Sequence, residues 1–501
     1  MLRTLTTLIF CILTLNLLSQ KYSYETSEKG FENPIHSLFY NGDGRFLDIG
    51  QKAFTTKKPQ ATFGDSELKN VRSFDFDFLD DKILVNAYFR ANTLYLFATD
   101  KKESLYLFHV NPENFTLIGT PEKLFSFEEN DTEYQYAYSE DSTYFGILCK
   151  HVRKRSSPKA FDGFIYSNNL SKKVNFSFAV DPGNGEVSHS NFLVSRSGAA
   201  GVISNIKDFE KGKKNWKDMY FLFTTITREG VASQQKLDNP IRGEIQKITW
   251  NLDKENFSFI GITGESDKKG YRTVVSGKYD LASPAIIVSS ESKLPEGGKN
   301  TGQASSQDMA DNGMLTDIYL RKMIPLKNGS ALLIYDQAGV RVTRSNSSPT
   351  GNVASQKVSY TSYSGRTYVI KLNPAKEIEW FHAIQKQQLE KIELYLGIAF
   401  ALDDNDGLHI FFHDHPANTE TFSQKKIKDA PLGNIKNASL ASVYITKDGV
   451  ASKSFIHDNE EAKSFMMPAT AYNLKNNEVS FIAYSMDKKE PVKFAKIVVG
   501  N

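Results

Sequence analysis

Short apolar segments recur along the chain, and each follows a turn rich in Asn, Asp, Gly or Ser. The apolar segments are LYLF from residue 94, GILC from 146, GVIS from 201, SFIG from 258, ALLIY from 331, HIFF from 409 and SFIA from 480. The turns before them are RAN, SEDS, SRSG, NLDKEN, LKNGS, LDDNDG and LKNNE. Such turns between alternating apolar segments are typical of β-hairpins. A further strand precedes each turn, and a third and usually a fourth strand follow. Turns such as TREG, NPAKE and TKDG join those last two strands.

These units predict an all-β fold, a seven-bladed β-propeller whose blades are four-stranded and antiparallel. Repeated units of this size are typical of radial repetition, and seven matching units are too many for a two-sheet sandwich. The last unit ends after three strands, at Val499. We expect VRSFDFDFL, residues 71–79, to supply its missing strand and so to join the two ends of the chain. Only QKQQLEKIELYL, residues 385–396, has a spacing that also fits a helix.

The N-terminus predicts export. Arg3 precedes an apolar run from Leu8 to Leu18, which is shorter than the ~20 residues that span a bilayer. We therefore expect residues 1–19 to be a cleaved signal peptide, residues 20–70 to be a lead-in without assigned structure, and residues 71–501 to form the propeller. Cys11 lacks the small preceding residue of a lipid-anchor site. The expected location is the periplasm, the cell surface or the medium, with no membrane-spanning segment.

The motifs of well-known propeller families are absent from this sequence. Three tryptophans cannot supply one Trp-Asp dipeptide for each blade, and neither an Asp box nor a paired-glycine kelch pattern occurs. In architecture alone, the chain resembles β-propellers of uncharacterised exported proteins of Bacteroidota, and a Gln at the new N-terminus is similar to proteins of that group. The resemblance covers most of the chain but rests on no motif, so it implies no site residue.

Catalytic motifs are also missing. Neither G-x-S-x-G nor H-E-x-x-H occurs, which argues against an α/β-hydrolase and against a zinc protease of that type. Without the signal peptide only Cys149 remains, so an intrachain disulfide is impossible. Its apolar strand, YFGILC, predicts an inert core thiol. A glycosidase needs only two suitably spaced carboxylates, so that class of enzyme stays open as an alternative.

The stretch DDNDGLHIFFHDH, residues 403–415, carries three of the nine histidines. On a strand, His409, Phe411, His413 and His415 lie on one side, and His409 lies ~20 Å from His415. Only His413 and His415 could therefore share a metal ion, and we favour a polar strand end over a metal site. DDNDG fits a hairpin turn better than a calcium loop, because position twelve of an EF-hand register would be His413.

Charge placement is more informative than the formal net charge of +3. The predicted connections between second and third strands carry 18 more basic than acidic residues. These connections are residues 150–159, 206–217, 266–272, 341–366, 423–437 and 487–493. Acidic segments at 126–134 and 457–463 offset part of this charge. The predicted binding residues are Arg153, Lys154, Arg155, Lys207, Lys213, Lys214, Lys268, Lys269, Arg341, Arg344, Lys425 and Lys426.

The sequence therefore predicts an exported binding or scaffold module of the cell envelope, without a cofactor, for an anionic partner. An envelope protein or an acidic glycan suits the expected compartment better than nucleic acid. The protein would be a monomer or part of an envelope complex. The alternatives are a carbohydrate-active enzyme with a carboxylate pair in a central channel, a purely structural partner, and lysines that merely neutralise neighbouring acidic loops.

Overall fold

The computed structural model describes most of the strands and their turns. The described residues are 22–26, 36–40, 46–50, 60–64, 72–79, 82–90, 93–100, 104–126, 132–139, 141, 143–151, 159–167, 173–183, 185–209, 216–238, 245–253, 256–266, 270–280, 285–294, 318–347, 355–390, 396–419, 428, 430–431, 438–475, 477–485 and 493–500. Nearly all of them lie in β-strands or tight turns, which confirms the all-β prediction. None of the helices in this part of the chain has the length and apolar character that a membrane span requires.

The elements follow one another as a long series of short strands. The first half contains β1 (Tyr22–Thr26), β2 (His36–Tyr40), β3 (Phe46–Gly50), β4 (Gln60–Gly64), β5 (Arg72–Asp75), a 3-10 helix (Asp77–Leu79), β6 (Ile83–Arg90), β7 (Thr93–Thr99), β8 (Ser104–Val110), β9 (Glu122–Ser126), β10 (Thr132–Tyr138), β11 (Tyr144–His151), β12 (Lys159–Ser167), β13 (Lys173–Val180), β14 (Glu186–Val194), β15 (Ala200–Phe209), β16 (Trp216–Ile226) and β17 (Ala232–Asp238). The second half contains β18 (Ile245–Asp253), β19 (Asn256–Ser266), β20 (Gly270–Asp280), β21 (Ala285–Lys293), β22 (Ile318–Pro325), β23 (Ala331–Ser347), β24 (Ser355–Leu372), β25 (Ile378–Ile384), β26 (Gln388–Glu390), β27 (Ala399–Leu402), β28 (Leu408–Asp414), β29 (Ala430–Pro431), β30 (Ser439–Ile445), β31 (Ala451–Asp458), helix α1 (Asn459–Ala462), β32 (Ser464–Lys475), β33 (Glu478–Ser485) and β34 (Lys493–Val499).

The described strands form eight sheets in chain order, where the sequence predicted seven units. Sheet 1 is β2–β5, sheet 2 β6–β9, sheet 3 β10–β13, sheet 4 β14–β17, sheet 5 β18–β21, sheet 6 β22–β25 with β26 and β29 attached, sheet 7 β27, β28, β30 and β31, and sheet 8 β32–β34 with β1. Pairing is antiparallel in every sheet except between β26 and β29. The additional unit comes from residues 36–75, most of which were expected to be a lead-in.

The prediction for the missing strand of the last unit was wrong. Arg72–Asp75 pairs with β4 as the outer strand of sheet 1. The fourth strand of sheet 8 is instead β1, whose Tyr22 lies opposite Val499 and whose Thr26 lies opposite Ala495. The strand that pairs with β34 therefore lies about fifty residues earlier in the sequence than the expected one. Within the segment at 385–396, the described residues Gln388–Glu390 form the strand β26.

Consecutive sheets pack face to face. Phe97 of β7 lies 6.0 Å from Phe145 of β11 between ring centroids, and Phe223 of β16 lies 5.7 Å from Phe257 of β19. Sheets 7 and 8 meet in the same way through Phe411 and Phe481. Because neighbours cover both faces, the seven residues of β28 are all buried. At the other end of the order, β2 of sheet 1 lies against β32 of sheet 8.

Hairpin turns of one geometry join many of the strands. In each, the N–H of the first residue donates to the carbonyl of the fifth, and the N–H of the fourth donates to the carbonyl of the first. Described turns of this kind begin at Ser195, Thr227, Leu326, Asn373, Asp403 and Thr446. The fourth residue always has a positive φ, and it is Gly198, Gly230, Gly329, Lys376, Asp406 or Gly449. This is a type I turn with a following bulge, so the hairpin turns predicted from SRSG, TREG, LKNGS, NPAKE, LDDNDG and TKDG are confirmed.

Candidate functional site

The predicted basic residues lie in or beside the connections between second and third strands. Lys207 is half-buried on β15, opposite Glu186 and Met219. Arg341 and Arg344 lie on β23. The others are outside the described residues, namely Arg153, Lys154, Arg155, Lys213, Lys214, Lys268, Lys269, Lys425 and Lys426.

Strand order fixes the end of its own sheet at which each connection leaves. The strands on either side of each basic segment are the second and third strands of sheets 3 to 8. In an antiparallel sheet, the connection from the second to the third strand leaves at the opposite end from the two neighbouring hairpin turns. One of the predicted loops was wrong, however. Residues 341–347 and 355–366 belong to β23 and β24, which form one long hairpin.

His413 is enclosed by protein groups. Its imidazole is completely buried, its Nε2 lies 2.6 Å from the carbonyl oxygen of Met466, and its Nδ1 lies 3.2 Å from the amide nitrogen of Asn459. The ring stacks on Phe465 with centroids 4.1 Å apart. Since both ring nitrogens already have partners, His413 is placed as a contact between sheets 7 and 8.

His415 lies just beyond the end of β28, and its ring bonds to the backbone of the following turn rather than to His413. Its Nδ1 accepts a hydrogen bond from the Ala417 N–H at 3.0 Å. Among the described residues, no group of three or more His, Cys, Asp or Glu side chains has the arrangement of a metal site. The prediction that His409, Phe411 and His413 share one side of the strand is consistent with Phe411 packing towards sheet 8 while Ile410 and Phe412 pack with sheet 6.

The aspartate between these histidines was expected at a polar strand end, but it is fully buried. Asp414 Oδ2 accepts a hydrogen bond from Lys453 Nζ at 2.6 Å, and the Lys453 side chain is 1% exposed. Asp414 Oδ1 accepts from the Asn418 amide at 2.7 Å and from the His415 N–H at 2.8 Å. Lys453 Nζ also donates to the Asn418 carbonyl at 2.7 Å. These bonds satisfy both oxygens of the Asp414 carboxylate, whose burial without partners would be energetically costly.

A second buried ion pair lies in sheet 6. Asp336 Oδ1 accepts from Lys386 Nζ and from Thr367 Oγ1, both at 2.9 Å, and its Oδ2 accepts from Ser364 Oγ at 3.0 Å. Lys386 Nζ also donates to Ser364 Oγ. The half-exposed Arg321 guanidinium contacts Asp336 Oδ2 at 3.3 Å from the outer side.

The two ion pairs belong to one buried region, which we call the polar seam. Gln388 of β26 links the two sheets because its amide nitrogen donates to the His413 carbonyl at 2.9 Å. The Asn459 amide donates to the Ala438 carbonyl at 2.6 Å and so joins helix α1 to sheet 7. The polar seam consists of Asp336, Ser364, Thr367, Lys386, Gln388, His413, Asp414, Asn418, Lys453 and Asn459. Sheets 2 to 5, in contrast, meet mainly through aromatic and aliphatic side chains.

The polar seam holds sheets 6 and 7 together through buried ion pairs and hydrogen bonds. Some hydrolases use a serine activated by a lysine, and Ser364 and Lys386 are in contact here. Burial lowers the pKa of Lys386, but the negative charge of Asp336 opposes that effect. Both side chains are completely buried against a carboxylate, so no substrate reaches them. Asp336 and Asp414 likewise cannot serve as the carboxylate pair of a glycosidase.

The remaining buried polar groups have structural roles. Cys149 is fully buried, as predicted, and burial raises the pKa of its thiol. Asp403 accepts hydrogen bonds from the N–H groups of Asn405 at 2.8 Å and Gly407 at 2.7 Å, and from the Tyr444 hydroxyl at 2.9 Å. Asp403 therefore holds the turn that leads into β28.

Comparisons with known proteins add little to this picture. No family model matches the chain, and no curated protein matches its sequence. Among solved structures, it is similar to the WD40 domain of SCAP from fission yeast, with 10% identity over 95% of this chain and 98% of that one and a TM-score of 0.42. The β-propeller domain of Nup133 from Vanderwaltozyma polyspora gives 11% identity, 91% and 100% coverage and a TM-score of 0.39. The β-propeller domain of the trilobed protease from Pyrococcus furiosus is 10% identical over 85% of this chain and 98% of that one, with a TM-score of 0.37.

Proposed function

We propose that the protein is an exported β-propeller of eight blades, closed by β1, that acts as a binding or scaffold module for an anionic partner. The order of the eight sheets, the pairing of β1 with β34 and the contact of β2 with β32 support the ring. Export is supported by the apolar N-terminal segment. Cleavage near Gln20 would leave β1, which begins at Tyr22, at the start of the mature chain.

The observation that carries the anionic partner is the charge of one set of connections. In each of sheets 3 to 8, one of these segments connects the second strand to the third. Together the six segments carry 18 more basic than acidic residues, in a chain whose net charge is +3. Because these segments leave the sheets at the same end, their charges add to one electropositive surface. Such a surface attracts an anionic partner and accelerates its association.

Two variants that remove equal charge from opposite ends test this proposal. The first replaces Arg153, Lys154, Lys213 and Lys214 with Ser. The control replaces the exposed residues Arg196, Arg228, Lys327 and Lys447, which lie in the hairpin turns at the other end, with Ser. Binding of polyglutamate and of oligogalacturonate to the mature protein is measured from 50 to 500 mM salt.

We expect the first variant to bind at least one of the two polyanions several-fold more weakly, and its affinity to depend less on salt, since exposed charges act over a Debye length of ~8 Å at physiological salt. The control should bind like the wild type. Equal weakening in both variants would mean that only total charge matters. Failure of both polyanions to bind the wild type at low salt would refute an anionic partner.

A further inference from the structure

The hairpin formed by β23 and β24 is much longer than its counterparts. The two strands have 17 and 18 residues, whereas the second and third strands of the other sheets have between 5 and 11. Pairing continues from Ala338 opposite Ser364 to Ser347 opposite Ser355. At 3.3 Å per residue, this extension is about 30 Å long.

The extension runs beyond the other strands of sheet 6. The inner strand β22 pairs with β23 only as far as Gln337. On the other side, β25 and β26 pair with β24 between residues 362 and 372. Among the strands that the structure describes, none pairs with the outer edge of residues 338–347 or of residues 355–361. A two-stranded ribbon with open edges is marginal in water, and its edges are templates for another strand.

The base of the ribbon is fixed. The register shifts between Asp336 and Ala338, which is where β23 leaves the body of sheet 6. Asp336 is held there by Lys386, Ser364 and Thr367. The edge of β24 is partly occupied, since β26 pairs with Ser362–Ser364 and in turn with β29. On the edge of β23, β22 pairs as far as Gln337, so a strand added along residues 338–347 would continue the position of β22 from a rigid base.

The composition of the ribbon selects the partner. Between Gln337 and Thr367 the sequence contains Arg341, Arg344, Lys357 and Arg366 and no aspartate or glutamate. A partner strand needs backbone N–H and C=O groups for the open edge and acidic side chains for the basic ones. An acidic polypeptide has both, whereas an acidic glycan has only the charge.

We infer that the β23–β24 hairpin is a docking site that takes an acidic polypeptide segment as an added strand along the outer edge of residues 338–347. The inference rests on the proposed function and specifies its partner as a protein segment in extended conformation. Strand addition gives affinity through main-chain hydrogen bonds, and side chains of alternate residues give specificity.

The probe is a labelled twelve-residue peptide of alternating Glu and Val, whose binding to the full mature chain is followed by fluorescence anisotropy. A second peptide has the same sequence with N-methyl groups on several consecutive residues, which keeps the charge and blocks main-chain pairing along both edges of the peptide. Oligogalacturonate of equal charge represents the glycan. One variant is Arg341→Ser/Arg344→Ser/Lys357→Ser, and the matched variant is Arg196→Ser/Arg228→Ser/Lys327→Ser, which removes the same charge from exposed hairpin turns at the other end of the sheets.

We expect the hairpin variant to bind the peptide about tenfold more weakly than the wild type, and the matched variant less than about threefold more weakly. The N-methylated peptide should bind the wild type about tenfold more weakly than its parent, because both charge and main-chain pairing contribute to the affinity. Cross-linking of a cysteine-bearing peptide to Thr343→Cys gives a second readout that does not depend on the stability of the triple variant.

Equal weakening in both triple variants, or an N-methylated peptide that binds as well as its parent, would overturn the hairpin site but leave the anionic partner in place. Binding of oligogalacturonate without the peptide would mean a glycan partner and overturn the inference. Binding of neither probe would refute the proposed function as well. A wild-type dimer dispersed by the hairpin variant would identify a second copy as the occupant instead, and so would also overturn it.

Discussion

His413 should make the protein sensitive to mild acid. The neutral imidazole has one donor and one acceptor. Here Nε2–H donates to the Met466 carbonyl, and Nδ1 accepts from the Asn459 amide nitrogen. That amide cannot turn its oxygen towards the ring without losing its bond to the Ala438 carbonyl. A proton on Nδ1 would therefore face another donor inside a buried contact between sheets 7 and 8.

The size of the effect follows from the pKa of His413. Burial lowers this pKa from 6.5 to about 3, against the raising effect of the hydrogen bond with Met466. Between these two values the unfolded chain binds a proton that the folded chain rejects, so the free energy of unfolding falls as the pH is lowered from 6.5. At about 1.4 kcal/mol per pH unit, the loss is roughly 2 kcal/mol at pH 5. Above pH 6.5 this contribution is fully present.

The assay compares the wild type with His413→Gln, which has no titratable ring, in urea unfolding at half-unit steps from pH 7.5 to 5. We expect the variant to be about 2 kcal/mol less stable at neutral pH, because it loses the stacking on Phe465 and a buried hydrogen bond. The difference should shrink by roughly 2 kcal/mol at pH 5. His415→Gln is the control and should leave the slope unchanged.

A variant that loses stability on acidification as steeply as the wild type would refute this reasoning. The His413→Gln variant should still keep some acid sensitivity. Burial lowers the pKa of His409 to about 4, although the Asp403 carboxylate opposes that shift. The double variant His409→Gln/His413→Gln should therefore have the flattest profile of the series.

Three further predictions concern the packing of the sheets. A chain that begins at residue 27 should leave the edge of β34 open, so it should melt at a lower temperature and give a lower soluble yield than a chain that begins at residue 20. Equal melting temperatures of the two chains would contradict the pairing of β1 with β34. Lys453→Met should lower the free energy of urea unfolding by about 3–5 kcal/mol because Asp414 is left buried and unpaired. The double variant Lys453→Met/Asp414→Asn should regain part of this loss. Equal stability of the wild type and Lys453→Met would contradict the buried pair. In Gly201→Ala the new Cβ would lie 2.2 Å from Phe257 Cζ, so we expect a cost of about 1–3 kcal/mol in thermal unfolding and partial rescue by Phe257→Leu, and an unchanged melting temperature would count against this contact.

Local features of the fold were readable from the sequence because the deciding residues are neighbours in the chain. The turn at LDDNDG is an example, since Asp403 bonds to the N–H groups two and four residues further on. The alternation in HIFF is equally local, and it correctly placed Phe411 and Ile410 on opposite sides of β28. Such features depend on a few consecutive dihedral angles and on one side-chain period.

The strand that pairs with β34 was not readable in this way. RSFDFDF alternates strongly, whereas YSYET is short and largely polar. What makes Tyr22–Thr26 a strand is the open edge of β34, more than 460 residues away along the chain. Because β1 was not recognised, residues 36–64 were left as a lead-in and one unit was missed. The preference of a segment for pairing depends on the edge available to it, and the sequence of the segment does not contain that information.

The polar seam was hidden for a related reason. Asp336 follows ALLIY and Asp414 follows HIFFH, so each acid stands conspicuously at the end of an apolar run. Each partner, however, is a distant lysine. It is Lys453, 39 residues away, for Asp414, and Lys386, between β25 and β26, for Asp336 of β23. Many lysines lie at such distances, and burial alone decides which one is paired. An aspartate that ends a buried strand is thus a sign that a distant cation exists, without indicating which.

The position of these aspartates connects the polar seam to the long hairpin. A buried ion pair is weak evidence for stability, since apolar residues of similar volume often do as well or better. It does fix direction, because a carboxylate bonded by Lys386, Ser364 and Thr367 leaves β23 little freedom to rotate. A ribbon about 30 Å long magnifies any rotation at its base, so a rotation of ten degrees moves its tip by about 5 Å. Apolar packing alone tolerates such changes more readily than a closed set of hydrogen bonds does. The Asp336 end of the polar seam therefore limits rotation at the base of the hairpin.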